Sequence, residues 1–131
     1  MPQTYTIARL AEAAGVHVET VRYYQRRRLV PEPVRPIGGI RRYQETDVER
    51  LRFIRRAQAI GFTLHEIESL LALRVRRSCH ATRELATAKL RIVDDRLREL
   101  RHLRNELAGL IRRCDANPED SICPVIAKLA N

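Results

Sequence analysis

Three cysteines are the residues of this chain best suited to chemistry at a defined spacing. Cys114 and Cys123 stand nine positions apart in the acidic segment CDANPEDSICP, and the third is Cys79. Thiolates act as nucleophiles, redox centres and ligands for soft metal ions. The chain has no CxxC motif to indicate a redox role. None of its four histidines marks an evident base for a nucleophile, so we expect no enzyme.

Burial as a small apolar residue is the usual alternative for a free cysteine, and it suits Cys79 taken alone. It does not suit Cys114 and Cys123, because the segment between them is polar. A Cys114–Cys123 disulfide fits the spacing but not a reducing cytosol. We expect a cytoplasmic protein, because the sequence begins without a secretory signal pattern and has no apolar run of membrane-spanning length. We therefore predict a metal site.

A long helix is predicted between Cys79 and the other two thiols, from about residue 80 to residue 113. At a rise of 1.5 Å per residue it would hold the thiols roughly 50 Å apart, too far to share one ion within a monomer. If two such helices pair antiparallel, Cys79 of one subunit meets Cys114 and Cys123 of the other. The dimer would then have two three-thiolate sites, with His80 as an alternative fourth ligand.

An apolar stripe along this helix supports the pairing. Its residues recur every three or four positions, which is typical of a coiled coil. Packing against its own domain is the alternative, but the short N-terminal helices need their apolar faces for their own core. We therefore expect self-association through the stripe, which comprises Ala86, Leu90, Val93, Leu97, Leu100, Leu103, Leu107 and Leu110.

Three thiolates suit a soft, thiophilic ion that tolerates low coordination, whereas structural zinc prefers four tetrahedral ligands.

Positive charge is concentrated in the N-terminal part of the chain. The formal net charge is +9, and residues 1–77 hold 15 Lys and Arg against 8 Asp and Glu. Residues 78–131 hold 10 against 8. A polyanionic partner is expected for the N-terminal part, although charge alone does not distinguish nucleic acid from a membrane surface.

The N-terminal sequence has the outline of a helix-turn-helix. Thr6 can cap a first helix, Gly15 ends it, and a second helix begins near Val18 with Val21 and Tyr24 facing inward.

A wing and two further helices are predicted next. Three prolines and Gly38-Gly39 in VPEPVRPIGGIRRYQ indicate a two-stranded wing with a tight tip. Capping boxes at Thr46–Glu49 and Thr63–Glu66 indicate where the two following helices begin.

The motifs TVRYY, RRYQETD and AxxIGFTLxEI together resemble the MerR family of bacterial transcription regulators, and the likeness runs along the whole chain. The fold expected is mainly α. It comprises a winged helix-turn-helix DNA-binding domain at 1–73, a linker at 74–79, a long antiparallel dimerisation helix at 80–113, and a metal-binding loop and tail at 114–131. Two departures from the family pattern concern the second helix. His17 replaces the usual cap, and Arg28 replaces a glycine, so Arg28 must either adopt a left-handed conformation or end the helix differently.

The expected DNA contacts lie on the second helix and in or beside the wing. Arginines and hydroxyl groups at these places can reach phosphates or base edges in a groove. For any single arginine, a solvated surface charge is the alternative, which the clustering makes less attractive. The predicted contacts are Thr20, Arg22, Tyr23, Arg26, Arg35, Arg41, Arg42 and Tyr43.

The cysteine pattern resembles the mercury(II)-responsive branch of this family. The resemblance implies a homodimer that binds one Hg²⁺ at each three-thiolate site. It also implies repression of a promoter in the apo form and activation, with RNA polymerase, when metal distorts the DNA through the dimer. Cadmium, lead and zinc remain alternative metals. One alternative function is a metal buffer that does not bind DNA. Another is a sensor of a small organic molecule, but the short tail after Cys123 leaves no room for the ligand-binding domain that such a sensor carries.

Overall fold

The computed structural model describes residues 3–119 and 121–131. The chain divides into two compact units, Met1–Arg83 and Glu84–Asn131. Helices dominate, as predicted. Across the described residues, no helix combines the length and the apolar character needed to cross a bilayer. The elements are β1 Thr4–Tyr5, α1 Ile7–Ala14, α2 Val18–Arg26, β2 Tyr43–Gln44, α3 Glu45–Ile60, α4 Leu64–Arg76, α5 Cys79–Asp115 and α6 Pro124–Ala130.

The helix-turn-helix is confirmed in α1 and α2. The Thr6 side chain accepts a hydrogen bond from the backbone N–H of Arg9 at 3.3 Å and caps α1. Gly15 ends α1 with a φ of 69°, a left-handed conformation that glycine adopts without steric cost. His17 precedes α2 without a capping side-chain bond, and α2 ends at Arg26.

The core of the first unit forms where α1 packs against α2 and α3, and α3 against α4. Val21 and Tyr24 are buried, as predicted. The Tyr24 hydroxyl donates to Oε1 of Gln58 at 2.6 Å, which satisfies the polar end of a side chain that is 2% exposed. Because Gln58 lies on α3, this bond helps to orient α2 on the core. Other fully buried side chains are Leu10, Leu29, Val30, Tyr43, Val48, Leu51, Ile54 and Ile67.

The predicted two-stranded wing is wrong. Residues 31–42 contain no strand, and among the described residues the one ladder pairs β1 with β2 in antiparallel fashion. Three prolines in one arm have no backbone N–H to donate to a ladder. The tip is a turn, as expected: Gly38 has a φ of 71°, and the N–H of Gly39 donates to the carbonyl of Pro36 at 3.0 Å.

Two arginine side chains hold the wing together instead. Nε of Arg41 donates to the carbonyl oxygen of Pro33 at 3.0 Å, and its guanidinium pairs with Glu32 at 3.2 Å. Nε of Arg35 donates to the carbonyl oxygen of Gly39 at 3.0 Å. Side-chain bonds therefore give this loop its shape.

The start of α3 differs from the prediction, and the Thr46–Glu49 capping box is wrong. The cap is Gln44, whose backbone N–H donates to Oδ2 of Asp47 at 2.8 Å. Pairing with β1 extends β2 to Gln44, so the helix begins directly after the strand.

The capping box of α4 is confirmed. The N–H of Thr63 donates to Oε1 of Glu66 at 2.8 Å, and the N–H of Glu66 donates to Oγ1 of Thr63 at 3.2 Å. The helix continues to Arg76, beyond the residue at which the linker was expected to begin, and α5 begins at Cys79. The domain boundaries at residues 73, 79 and 113 stay predictions.

The long helix α5 has 37 residues. Pro124 occupies the first turn of α6, where the missing N–H of proline leaves no helical bond unmade. Nζ of Lys128 on α6 lies 2.5 Å from Oε1 of Glu106 on α5. The hydrogen bond and the charge of Lys128 lower the pKa of Glu106. This pair ties α6 to α5 within the second unit.

We expect Arg28→Gly to stabilise the first unit. Arg28 adopts a left-handed φ of 59°, one of the two outcomes that the missing glycine allows. Relief of the Cβ clash should raise the free energy of unfolding by about 1 kcal/mol, measured by chemical denaturation. Arg27→Gly is the matched control, because Arg27 has a φ of −82° and should lose stability on substitution. Equal destabilisation by both changes would contradict this interpretation.

We expect Lys128→Met to raise the pKa of Glu106 towards its ordinary value, because the hydrogen bond and the positive charge are removed. A carboxyl with a lowered pKa stabilises the fold above its unfolded pKa, and that contribution disappears as the pH falls through its folded pKa. Acid should therefore loosen α6 in the wild type, whereas the variant should already be loosened at neutral pH. Carboxyl NMR titration measures the pKa of Glu106 in the wild type and in the variant. Leu129→Met, which keeps the pair, should leave the Glu106 midpoint in place; an unmoved midpoint in Lys128→Met would contradict the assignment.

Candidate metal centre and nucleic-acid interface

Two of the three predicted metal ligands lie in direct contact. Sγ of Cys114 and Sγ of Cys123 are 3.6 Å apart, and both side chains are half-buried. Cys114 lies in the last turn of α5, and Cys123 is the residue that precedes α6. A short loop thus returns the chain from one helix end to the other. Asp120, one of the acidic residues of this loop, lies outside the described residues.

The environment of Cys123 favours its thiolate. The backbone amide of Ile126, the thiol of Cys114 and the backbone amide of Val125 each lower the pKa of Cys123, in that order of effect. Burial acts in the opposite direction and is outweighed. Because the thiolate is the form that binds metals, the pair suits capture of a cation.

The spacing of the two sulfurs fits a shared ion. Two thiolates on one tetrahedral zinc ion, with bonds of about 2.3 Å, stand roughly 3.8 Å apart, so sulfurs 3.6 Å apart are close enough to share an ion. Within residues 3–119 and 121–131, no group of three or more His, Cys, Asp or Glu is arranged to hold a metal. The pair therefore supplies two soft ligands, and a higher coordination number requires ligands from outside this cluster.

Cys79 belongs to the first unit and opens α5. Its side chain is exposed, and its thiol is free. The alternative for this cysteine was burial as a small apolar residue. In the single chain Cys79 is not buried. An exposed thiol remains able to bind an ion or a partner.

Four of the predicted DNA-contacting arginines line one cleft. The cleft has a volume of about 460 Å³ and lies between α2 and the wing. Glu32 is the one acidic residue in its lining, and Arg41 already pairs with it. The concave surface is therefore rich in positive charge, contributed by Arg22, Arg26, Arg35 and Arg41.

The predicted contacts Arg22 and Tyr23 are exposed side chains of α2. Arg22 is exposed and pairs with Glu19 at 2.9 Å, a weak surface interaction that a stronger partner can replace. The guanidinium groups of Arg26 and Arg27 lie 5.8 and 6.0 Å from the centre of the Tyr23 ring. Tyr23 is 40% exposed, so its ring and hydroxyl remain accessible among these cations.

Tyr43, predicted as a DNA contact in or beside the wing, lines the cleft but has a buried side chain, which sequence reasoning did not anticipate. It is 1% exposed, and its hydroxyl accepts a hydrogen bond from Nε2 of Gln25 at 2.7 Å. Strand β2 turns the ring inward, where it supports α2 from below. Its neighbour Arg42 is exposed, and the DNA contact predicted for it stays a prediction.

Sequence reasoning missed Arg55. This residue and Gln58 on α3 line a shallow cleft together with Thr20, Tyr23 and Arg26 of α2. Arg55 follows the buried Ile54, so the helical pattern of the sequence could have predicted that its side chain is exposed. Its position beside α2 was not readable, because that depends on how α3 packs.

Comparisons with known proteins agree with this architecture. A family model described as MerR HTH family regulatory protein matches residues 5–73, and one described as MerR, DNA binding matches residues 48–110. The mercuric resistance operon regulatory protein of Serratia marcescens is 44% identical over 127 residues, which cover 97% of this chain and 88% of that protein.

Two solved structures are similar along most of their length. The transcription regulator PbrR691 from Ralstonia metallidurans, in complex with lead(II), has a TM-score of 0.83 and 39% identity, covering 95% of this chain and 98% of that one. The dual function transcriptional regulator MerR from Bacillus megaterium, in complex with mercury(II), has a TM-score of 0.74 and 33% identity, covering 97% and 100%. With its helix-turn-helix and its basic cleft, the chain belongs to the MerR family of DNA-binding transcription regulators and is not an enzyme.

Proposed function

We propose that this protein is a homodimeric, mercury(II)-responsive regulator that binds double-stranded promoter DNA. The observation that carries the proposal is the Cys114–Cys123 pair, whose sulfurs lie 3.6 Å apart at the end of a long helix. The similar protein of Serratia marcescens is a mercuric resistance operon regulatory protein, which supports mercury as the effector.

The apolar stripe of α5 supports the homodimer. Its side chains are 41–61% exposed from Leu90 to Leu107, and Leu110 alone of its large residues is buried. A helix with such a stripe is stabilised by covering it, and a second copy offers a self-complementary surface. The exposed residues are Leu90, Val93, Leu97, Leu100, Leu103 and Leu107.

An antiparallel pair of α5 helices would complete the metal site. Cys79 opens the helix that Cys114 closes, so the start of one helix would lie beside the end of its mate. Cys79 of the partner subunit would then join Cys114 and Cys123 as the third thiolate. Each dimer would hold two such sites, with one Hg²⁺ at each.

Mercury(II) is the preferred effector because three thiolates suit a soft ion with low coordination number. Lead(II) is the second candidate, since the similar regulator from Ralstonia metallidurans was solved with lead(II). Cadmium and zinc are further competitors. Zinc would require a fourth ligand to complete its tetrahedron.

The DNA interface is proposed to combine α2 with the wing. Arg22 and Thr20 would read base edges or phosphates, while Arg35, Arg41 and Arg42 would supply salt-sensitive phosphate contacts. The net positive charge of residues 1–77 would strengthen encounter with DNA.

Regulation would follow from the shared site. An ion shifts a conformational equilibrium only if it binds one arrangement more tightly. Thiolates from both subunits would make that affinity depend on how the subunits, and therefore their DNA-binding domains, are arranged. The metal-free dimer would repress the promoter. The metal-loaded dimer would distort the DNA and allow RNA polymerase to start transcription.

Replacing Arg22 with alanine should reduce discrimination between the duplex upstream of the gene and a scrambled duplex. The expected loss is about 1–3 kcal/mol if the guanidinium makes a bidentate base contact. Arg42→Ala is the control: it should weaken binding to both duplexes similarly and reduce the salt slope by about one. Gel shifts at several salt concentrations measure both quantities. Equal weakening on both duplexes by Arg22→Ala would instead assign Arg22 to phosphate binding.

Transcription in vitro from the upstream promoter tests the proposed function. Mercury(II), lead(II), cadmium(II) and zinc(II) are titrated separately with RNA polymerase and the wild-type dimer. Mercury should activate at the lowest concentration, and Cys79→Ala, Cys114→Ala or Cys123→Ala should abolish activation while leaving DNA binding intact. Activation by lead first would favour the second candidate. DNA binding without any metal response would contradict a metal sensor, and metal binding without DNA binding would indicate a buffer.

A further inference from the structure

The separation of Cys114 and Cys123 is a property of the loop between them. Nine residues of extended chain could span roughly 30 Å, yet the two sulfurs are 3.6 Å apart. Neither helix end alone brings the thiols together, because Cys123 lies beyond the end of α5 and before the start of α6. The Lys128–Glu106 pair joins the two flanking helices, and contacts inside the loop can hold the thiols together more directly.

Asn117 supplies such a contact. Its side-chain Nδ2 donates towards three loop carbonyl oxygens, those of Pro118 at 3.3 Å, Ser121 at 3.4 Å and Ile122 at 3.3 Å. Its backbone N–H donates to the carbonyl of Cys114 at 3.1 Å. One residue is therefore bonded both to the first cysteine and to the neighbour of the second.

The type of side chain matters here. Three carbonyl oxygens directed at one point repel one another unless a donor lies between them, and an amide NH₂ group offers two N–H donors without adding charge. Asn117 is half-buried, and its three side-chain bonds lie at the exposed side of the loop. The N–H of Ser121 also donates to the carbonyl of Pro118 at 3.0 Å, which adds a backbone turn to the clamp.

We propose that Asn117 is a positioning residue for the metal site, which closes the loop and holds the Cys114 and Cys123 thiols at a separation ready for one soft ion. This inference rests on the proposed metal-sensing function for its biological meaning. Its physical content is independent of that function, because the clamp sets the sulfur separation before any ion arrives. A loop that is already closed loses less conformational entropy when it captures the ion, so the affinity of the two thiols for the ion is higher. Residues that orient metal ligands typically contribute 10–100-fold in affinity.

The test uses the full-length protein with three substitutions in the loop. Asn117→Ala removes the donor, and Asn117→Asp keeps the shape of the side chain but replaces the donor with an acceptor. Ser121→Ala is the matched control, because Ser121 contributes only backbone atoms to the clamp. Circular dichroism and DNA binding by the metal-free protein should be unchanged in all three.

Two measurements follow the site. Mercury(II) affinity is measured from the thiolate-to-metal charge-transfer absorption in competition with a small thiol. We expect Asn117→Ala and Asn117→Asp to bind at least about 10-fold more weakly than wild type, with Ser121→Ala within twofold. The second measurement uses metal-free protein in a Cys79→Ser background, so that only Cys114 and Cys123 can react. Dibromobimane, which fluoresces only after it joins two neighbouring thiols, should cross-link this pair several-fold more slowly in both Asn117 variants.

The outcomes separate this inference from the proposed function. If wild type shows no mercury charge-transfer band but Asn117→Ala still slows the cross-linking, the clamp stands and the metal-sensing function fails. If wild type binds mercury and Asn117→Ala matches it in both affinity and cross-linking rate, the positioning role is overturned. Weakening by Ala but not by Asp would also overturn it, since side-chain shape rather than the donor would then be responsible.

Discussion

The exposed apolar stripe of α5 is the constraint on which the proposed dimer and its metal site depend. A helix of 37 residues that shows Leu97 and Leu100 to solvent cannot be at its most stable alone. A second copy can cover the stripe, and antiparallel pairing brings opposite helix ends together. This pairing would bring the thiols of the two subunits together, because Cys79 lies at one end of the helix and Cys114 at the other. Dimerisation is thus proposed to build the metal site, which an ion then occupies.

In the first unit, a small buried core supports a surface that carries positive charge. The hydroxyl of Tyr24 and the amide of Gln25 use bonds to Gln58 and Tyr43 to seat α2 on its neighbours. Arginines of α2 and of the wing line the cleft between these two elements. Core bonds give α2 its orientation, and the long-range attraction of the basic surface for DNA adds affinity without depending on sequence.

Sequence predicted best what is decided locally. The caps at Thr6 and Thr63 and the turn at Gly15 depend on residues within a few positions of one another, and the left-handed Arg28 is one of the two outcomes expected there. Prediction failed where distant segments decide. The start of α3 and the burial of Tyr43 both follow from pairing of β2 with β1, nearly forty residues earlier in the chain. Likewise the contact of Cys114 with Cys123 was expected, but not Asn117, whose bonds depend on a fold of the loop that composition does not encode.

The central claim, a metal site built from two subunits, is tested most directly in a mixed dimer. Cys79→Ala and Cys114→Ala chains carrying different affinity tags are refolded together, and the heterodimer is purified through both tags. One chain then offers Cys114 and Cys123, the other offers Cys79, and each parent homodimer has no complete set. We expect one mercury(II) per heterodimer, bound with wild-type affinity and with a three-thiolate charge-transfer band that neither parent shows. A heterodimer that binds no better than its parents would contradict a site shared between subunits.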